Sequence, residues 1–246
     1  MNIVSDLINS FDPSRPNFRP TEIFNESWLV KLVLHQASQI QNHEFPLSFE
    51  DQATWFSEAL LPTAFKARYR GDILSESRTN ADGVIGHIVI GAQQKADLEL
   101  TPEATQLSVV EAKINSPLAH GVTNAKYFDQ AARNVACIAE VVSQAGRDPS
   151  SFDRLDFIVL APQASIDNGT FQSEISPSSI QEKVEKRVEA YEGSLDIWYE
   201  ESFIPTMKKI SIYELSWEAS LAWIYEHKPE IEDSFRDFYE QCLRFN

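Results

Sequence analysis

The sequence predicts an α/β domain, and three observations carry that expectation. The middle of the chain shows short β-branched runs separated by turn residues, the rest shows helical apolar spacing, and the segments follow in the order α, α, β, β, β, α, β, α, β, α. With 43% hydrophobic and 11% aromatic residues and only 8 Gly in 246, the chain can bury a core of its own, which excludes a disordered or low-complexity protein. No repeat at solenoid periods and no Gly/Ser linker divides it, so one domain over residues 1–246 is expected.

Residues 11–20 hold three prolines and little periodic apolarity, which predicts an irregular wrap before a helix over about 26–40, where Trp28, Leu29, Leu32 and Val33 form an apolar stripe. Ser48 with Asp51 three residues on resembles a capping box and predicts a second helix through Trp55, Phe56, Leu60 and Leu61, ended by Pro62. Residues 84–90, 96–100 and 107–114 then read as three adjacent strands, the turn between the first two falling on Gln93-Gln94-Lys95. A helix rich in Ala follows over about 123–145, closed by Gly146. A buried strand over 157–160, a charged helix over 181–191, a short strand over 210–213 and closing helices over 217–227 and 231–243 complete the order.

Composition narrows the function classes. Lys and Arg number 21 against 37 Asp and Glu, a net −16, so abundant nonspecific coating of nucleic acid is disfavoured, whereas an enzyme with a local basic strip and a metal ion remains compatible. The absence of a long apolar run, and of a basic n-region over residues 1–10, predicts neither export nor membrane insertion. Cys137 and Cys242 lie in helical patterns, so buried thiols in a reducing cytoplasm are expected.

The chemistry concentrates on the third strand. Glu111 and Lys113 are two residues apart and share a face, separated by roughly 6.6 Å along the strand. Val110, Ala112 and Ile114 line the apolar opposite face, which marks an interior strand, where two charges are costly unless they pair or bind something. Asp97 lies on the preceding strand, and a hairpin would bring its carboxylate beside Glu111. Asp82 competes for that place, but Asp82-Gly83 is also an ordinary turn signal, and Asp97 is preferred. Clustered hard oxygens suit Mg²⁺ or Mn²⁺, and Glu99, on Asp97's face, would support them. Glu226-His227-Lys228 repeats the tripeptide spacing at the end of a helical pattern with no hairpin before it, and is set aside.

Asp97, thirteen intervening residues and then Glu111-Ala112-Lys113 resemble the D…E-x-K signature of the PD-(D/E)XK nuclease superfamily. The resemblance implies a restriction-endonuclease-like core, α-β-β-β-α-β with a mixed sheet flanked by helices, over about 48–161. Residues 1–47 would be a helical extension, and 162–246 would add a strand and helices. It implies Asp97, Glu111 and the Ala112 carbonyl as metal ligands and Lys113 as the catalytic helper. An acid on the first core helix, Glu58, and a Gln on the helix after the E-x-K strand, Gln130, would join the site. No Pro precedes Asp97, and Asn134 stands four residues after Gln130 where one branch has Tyr, so the branch is left open.

Tyr127, Gln130 and Asn134 share one face of that later helix, with Lys126 and Arg133 beside them. Lys66, Arg68 and Arg70 form the densest basic cluster, and with Lys126 and Arg133 they are the expected phosphate contacts. His120 reads as a loop residue, and the tryptophans as core. The expected activity is Mg²⁺- or Mn²⁺-dependent hydrolysis of phosphodiester bonds in nucleic acid, with DNA as the expected polymer and no membrane involved. Competing readings are a silent scaffold working with a protein partner or a second copy, and hydrolysis of a small phosphoester.

Overall fold

A computed structural model describes residues 18–42, 44–76, 78–91, 96–121 and 125–246. The segment 1–10, most of the expected wrap over 11–20, the Gln93-Gln94-Lys95 turn and the expected helix start at 123 lie outside them. Helix α1 (Glu26–Ala37) begins where Asn25 accepts a hydrogen bond from the Trp28 N–H at 2.9 Å. Strands β1 (Thr54–Leu61), β2 (Thr79–Gly86), β3 (Ile88–Ile90), β4 (Leu98–Leu100) and β5 (Gln106–Ala112) follow, then helix α2 (Gln130–Gln144) and strand β6 (Arg154–Ala161). Short helices α3 (Gln163–Asp167) and α4 (Gln172–Ile175) lead to α5 (Pro177–Glu189), α6 (Asp196–Trp198) and α7 (Ile204–Lys209). Strand β7 (Ser211–Ser216) and helices α8 (Trp217–His227) and α9 (Glu232–Phe245) close the fold.

The main sheet has the order β1-β2-β5-β6-β7, antiparallel from β1 to β5 and parallel from β5 to β7. It is a five-stranded mixed sheet flanked by helices, the α/β class the segment order predicts. All of β5 is buried, as suits a central strand covered on both sides. Leu107 and Val109 face a core built with α2 and α5, while Val110 and Ala112 face a second core built with α1, α8 and α9. Strand β2 meets β5 so closely at Gly86 that a Cβ there would stand 2.3 Å from the Gln106 carbonyl oxygen, which explains the glycine. Beside it, the His87 Nδ1 accepts from the Thr105 and Gln106 N–H groups at 3.1 and 3.2 Å, tying the end of β2 to the start of β5.

Three expectations are corrected. The helix from Ser48 to Leu61 is instead a loop and strand β1. Ser48 caps nothing helical; its hydroxyl accepts from the Phe45 N–H at 3.1 Å and its carbonyl accepts from Gln106 at 2.8 Å. The three adjacent strands are not one set, because the short β3 and β4 pair only with each other in a two-stranded sheet, leaving β2 as the neighbour of β5. The helix assigned to an extension before residue 48 instead supplies a face of the core: Leu29, Val30, Val33, Leu34 and Ala37 are buried in the cluster that holds Val110 and Ala112. Gly146 does close α2, with φ +62 in the left-handed region. Cys137 and Cys242 are buried free thiols.

Candidate active site

The site forms where β2 and β5 part. Gly83 opposite Val110 is their last paired step, and the next brings Asp82 alongside Glu111. The Asp82 Oδ2 accepts from the Ala112 N–H at 2.8 Å, filling the place that a ladder partner would take. Glu26, in the first turn of α1, does the same one step further, accepting from the Ile114 N–H at 2.6 Å. On the far side the Trp217 indole donates to the Lys113 carbonyl at 2.8 Å, and the Lys113 N–H donates to the Leu160 carbonyl at 2.8 Å. The main chain of Glu111 to Ile114 is therefore held by side chains from β2, α1 and α8.

Glu111 is 1% exposed and is the most enclosed charge of the group. The Lys113 Nζ donates to its Oε1 at 2.7 Å, the Gln130 side-chain amide donates to the same oxygen, and the Asn134 Nδ2 donates to Oε2 at 3.0 Å. Gln130 and Asn134 stand one turn apart on α2, which Asp129 caps by accepting from the Ala132 N–H at 3.1 Å. The Gln130 Oε1 also accepts from the Ala119 N–H at 2.9 Å, so the loop after β5 is fastened to the same amide. Burial, and then the neighbouring Asp82, push the Glu111 carboxyl up to about 8 against the pull of Lys113. For Lys113, burial works against the charged form, but Glu111, Asp82 and Glu26 outweigh it and the ammonium is held above its ordinary value. Burial also raises Glu26.

Two acids expected here lie elsewhere. Asp97 pairs through its backbone with Leu60 on the outer edge of β1, and β1 and β2 both stand between it and β5, so Asp97 is about three strand spacings, or roughly 14 Å, from the line of Glu111. Its side chain faces Arg78 in an ion pair, and Asp82 occupies the position expected of it. Glu58 is on a strand rather than a helix, and its carboxylate turns to Ser27, which donates to it at 2.7 Å. Glu26 is the acid that a helix brings to the E-x-K strand. Glu99 follows Asp97 to the β3–β4 sheet.

The basic residues disperse. Lys66 pairs with Glu140 at 3.2 Å, Arg68 is bound to Asp72 at 2.8 Å and lies over the Tyr191 ring, and Arg133 turns to Glu76 at 3.9 Å. Arg70 and Lys126 are exposed, Lys126 just before α2, and His120 is an exposed loop residue. Tyr127, on the face predicted for the site, lies under the Lys186 ammonium at 4.3 Å instead. Trp217 and Glu26 are the residues that sequence reasoning missed; a buried indole reads as core, and the Asn25-Glu26 helix start gives no sign of what its carboxylate meets.

Among the described residues no three His, Cys, Asp or Glu side chains form a closed metal cage. The acids are instead strung along the strand, Asp82 against Ala112, Glu111 beside it and Glu26 against Ile114. Two neighbouring carboxylates, one of them carrying its proton well above the usual range through burial and then through the other's charge, form a donor set that a hard divalent cation would relieve. Comparison with protein-family models, with curated proteins and with solved structures finds no match.

Proposed function

We propose that this chain is a Mg²⁺- or Mn²⁺-dependent nuclease with a PD-(D/E)XK-type site, hydrolysing phosphodiester bonds of nucleic acid, DNA being the first polymer to test. The observation that carries the reading is the junction of β2 and β5, where Asp82, Glu111 and Lys113 meet around the Ala112 peptide. The order α1, β1, β2, β5, α2, β6, with three antiparallel strands and then a parallel one, supports a restriction-endonuclease-like core. Asp82 and Glu111 would hold the cation with the Ala112 carbonyl, and Glu26 would stand behind them. Bound there, the cation would supply an activated water and neutralise charge on the phosphoryl oxygen.

The chain's own residues do the positioning. The Lys113 ammonium is fixed by Glu111, and beside a bound cation it would orient an attacking water or stabilise the developing negative charge. Gln130 and Asn134 fix the direction of the Glu111 carboxylate, and Trp217 fixes the Lys113 backbone. The test is Mg²⁺- and Mn²⁺-dependent cleavage of single- and double-stranded DNA and RNA, wild type beside Lys113→Ala and Asp82→Asn. The reading requires divalent-dependent cleavage that both variants lose; a wild type that cleaves nothing and binds no Mn²⁺ by calorimetry would overturn it. A second reading, a scaffold keeping this core without turnover, draws on the net charge of −16 and on the full set of partners that Glu111 already has within the chain.

A further inference from the structure

The displaced Asp97 opens onto a site of its own. A cleft of about 710 Å³ lies beyond the β1 edge, with Leu60 and Leu98 among its apolar lining and Lys66, Glu76, Arg78 and Asp97 among its charges. The backbone around Asp97 is firmly set: the Leu60 N–H donates to the Ala96 carbonyl at 2.8 Å and the Gly91 N–H donates to the Asp97 carbonyl at 2.9 Å. The Asp97 side chain is 3% exposed, and its one ion-pair partner among the described residues is Arg78. Among the described residues, neither of its carboxylate oxygens accepts a well-formed hydrogen bond. A desolvated carboxylate normally gathers several donors, since a lone ion pair does not offset its dehydration. Two adjacent acceptors held rigidly against an apolar wall are the complement of two adjacent N–H donors on a flat ring.

The cations supply the other half of a ligand. Arg78 is 31% exposed along its side chain and Lys66 67%, so both can turn toward the cleft mouth. If the ligand's N–H groups replace the Arg78 guanidinium on Asp97, Arg78 is released to pair with an anionic group, and no buried charge is left alone. We propose that this cleft binds a guanine nucleotide, the N1–H and 2-amino donors of the base on Asp97, the ring against Leu60 and Leu98, and the phosphate on Arg78 and Lys66. Strands β1 and β2 both lie between Asp97 and Glu111, so this assignment does not depend on how the Glu111 site is read.

Calorimetric titration of the full chain with GMP, IMP and AMP tests it. GMP should bind; IMP, which lacks the 2-amino donor, should bind about ten-fold more weakly, and AMP, without the donor pair, more weakly still. Asp97→Asn should remove the preference for GMP over AMP. Lys66→Glu should weaken GMP while leaving guanosine binding unchanged, a comparison that keeps Asp97 intact should its replacement unfold the protein. Lys113→Ala should bind GMP like wild type, which separates this site from failure of the nuclease reading. Equal affinity for GMP and AMP, no heat with GMP, or binding of arginine methyl ester in its place would each overturn the proposal.

Discussion

Asn134 and Glu111 meet at 3.0 Å, the Asn134 amide nitrogen on the Glu111 Oε2, and both residues are buried. The other end of the same amide, Oδ1, has no hydrogen-bond partner among the described residues. Asn134→Ala therefore leaves Oε2 without its donor and should cost about 1 to 3 kcal/mol in urea denaturation. Mn²⁺ affinity by calorimetry should fall about 10- to 100-fold, as for other groups that orient a ligand. Unchanged Mn²⁺ affinity would reduce Asn134 to a packing residue.

The raised Glu111 carboxyl fixes a pH dependence. The folded state keeps a proton up to about 8 that the unfolded chain releases around 4.5, so the contribution of Glu111 to stability is full below this window and is lost as pH rises through it. Glu111→Gln should flatten that decline, and Mn²⁺ should oppose it in the wild type by favouring the ionised form. Urea midpoints across the window check this; a mutant with the wild-type slope would place the dependence elsewhere.

Trp217→Phe keeps most of a fully buried ring but removes the donor to the Lys113 carbonyl. A loss of about 1 kcal/mol in stability is expected. On the nuclease reading kcat should fall more than KM rises, since the Lys113 main chain loosens while the substrate surface is untouched. Equal kcat in a folded variant would show that this bond is only structural.

Gly86→Ala should be among the more damaging single-methyl changes in the sheet. Its Cβ would meet the backbone at Gln106, which cannot move without parting β2 from β5, and a cost of about 1 to 3 kcal/mol is expected in thermal or urea unfolding. Gly146→Ala meets no atoms within 4 Å and pays only for its left-handed φ of +62, about 1 kcal/mol. Reversal of that order would refute the close-approach argument.

The two faces of β5 were legible because its alternation is strict: Leu107, Val109, Glu111 and Lys113 on one side, Val110 and Ala112 on the other. Strand β1 was not, because its alternation is broken at Glu58, which has φ +58 between the paired Ser57 and Ala59. That left-handed step leaves the register with β2 unbroken, yet Phe56 and Ala59 pack into the same core, three residues apart, which is a helical spacing. The sequence favours Asp97 over Asp82 only if strands that neighbour in the chain also neighbour in the sheet, and here they do not. The partner of β5 is set instead by the β2 register, with a separate hairpin inserted between the two strands, and no local pattern announces such an insertion. Gln130 and Asn134 were found through their shared helix face, but Glu26 could not be, since only the folded chain brings residue 26 to residue 114.

The carboxylates of Asp82 and Glu26 replace strand carbonyls as acceptors for the amides of Ala112 and Ile114. Protection of those two amides from solvent exchange then depends on side chains contributed by β2 and by α1, and not on the sheet ladder alone. In a hydrogen-exchange experiment the Ile114 amide becomes a reporter of whether α1 is docked, and the Ala112 amide a reporter of β2. The E-x-K segment thus carries, in two adjacent signals, a record of whether the two halves of its surroundings open together or one at a time.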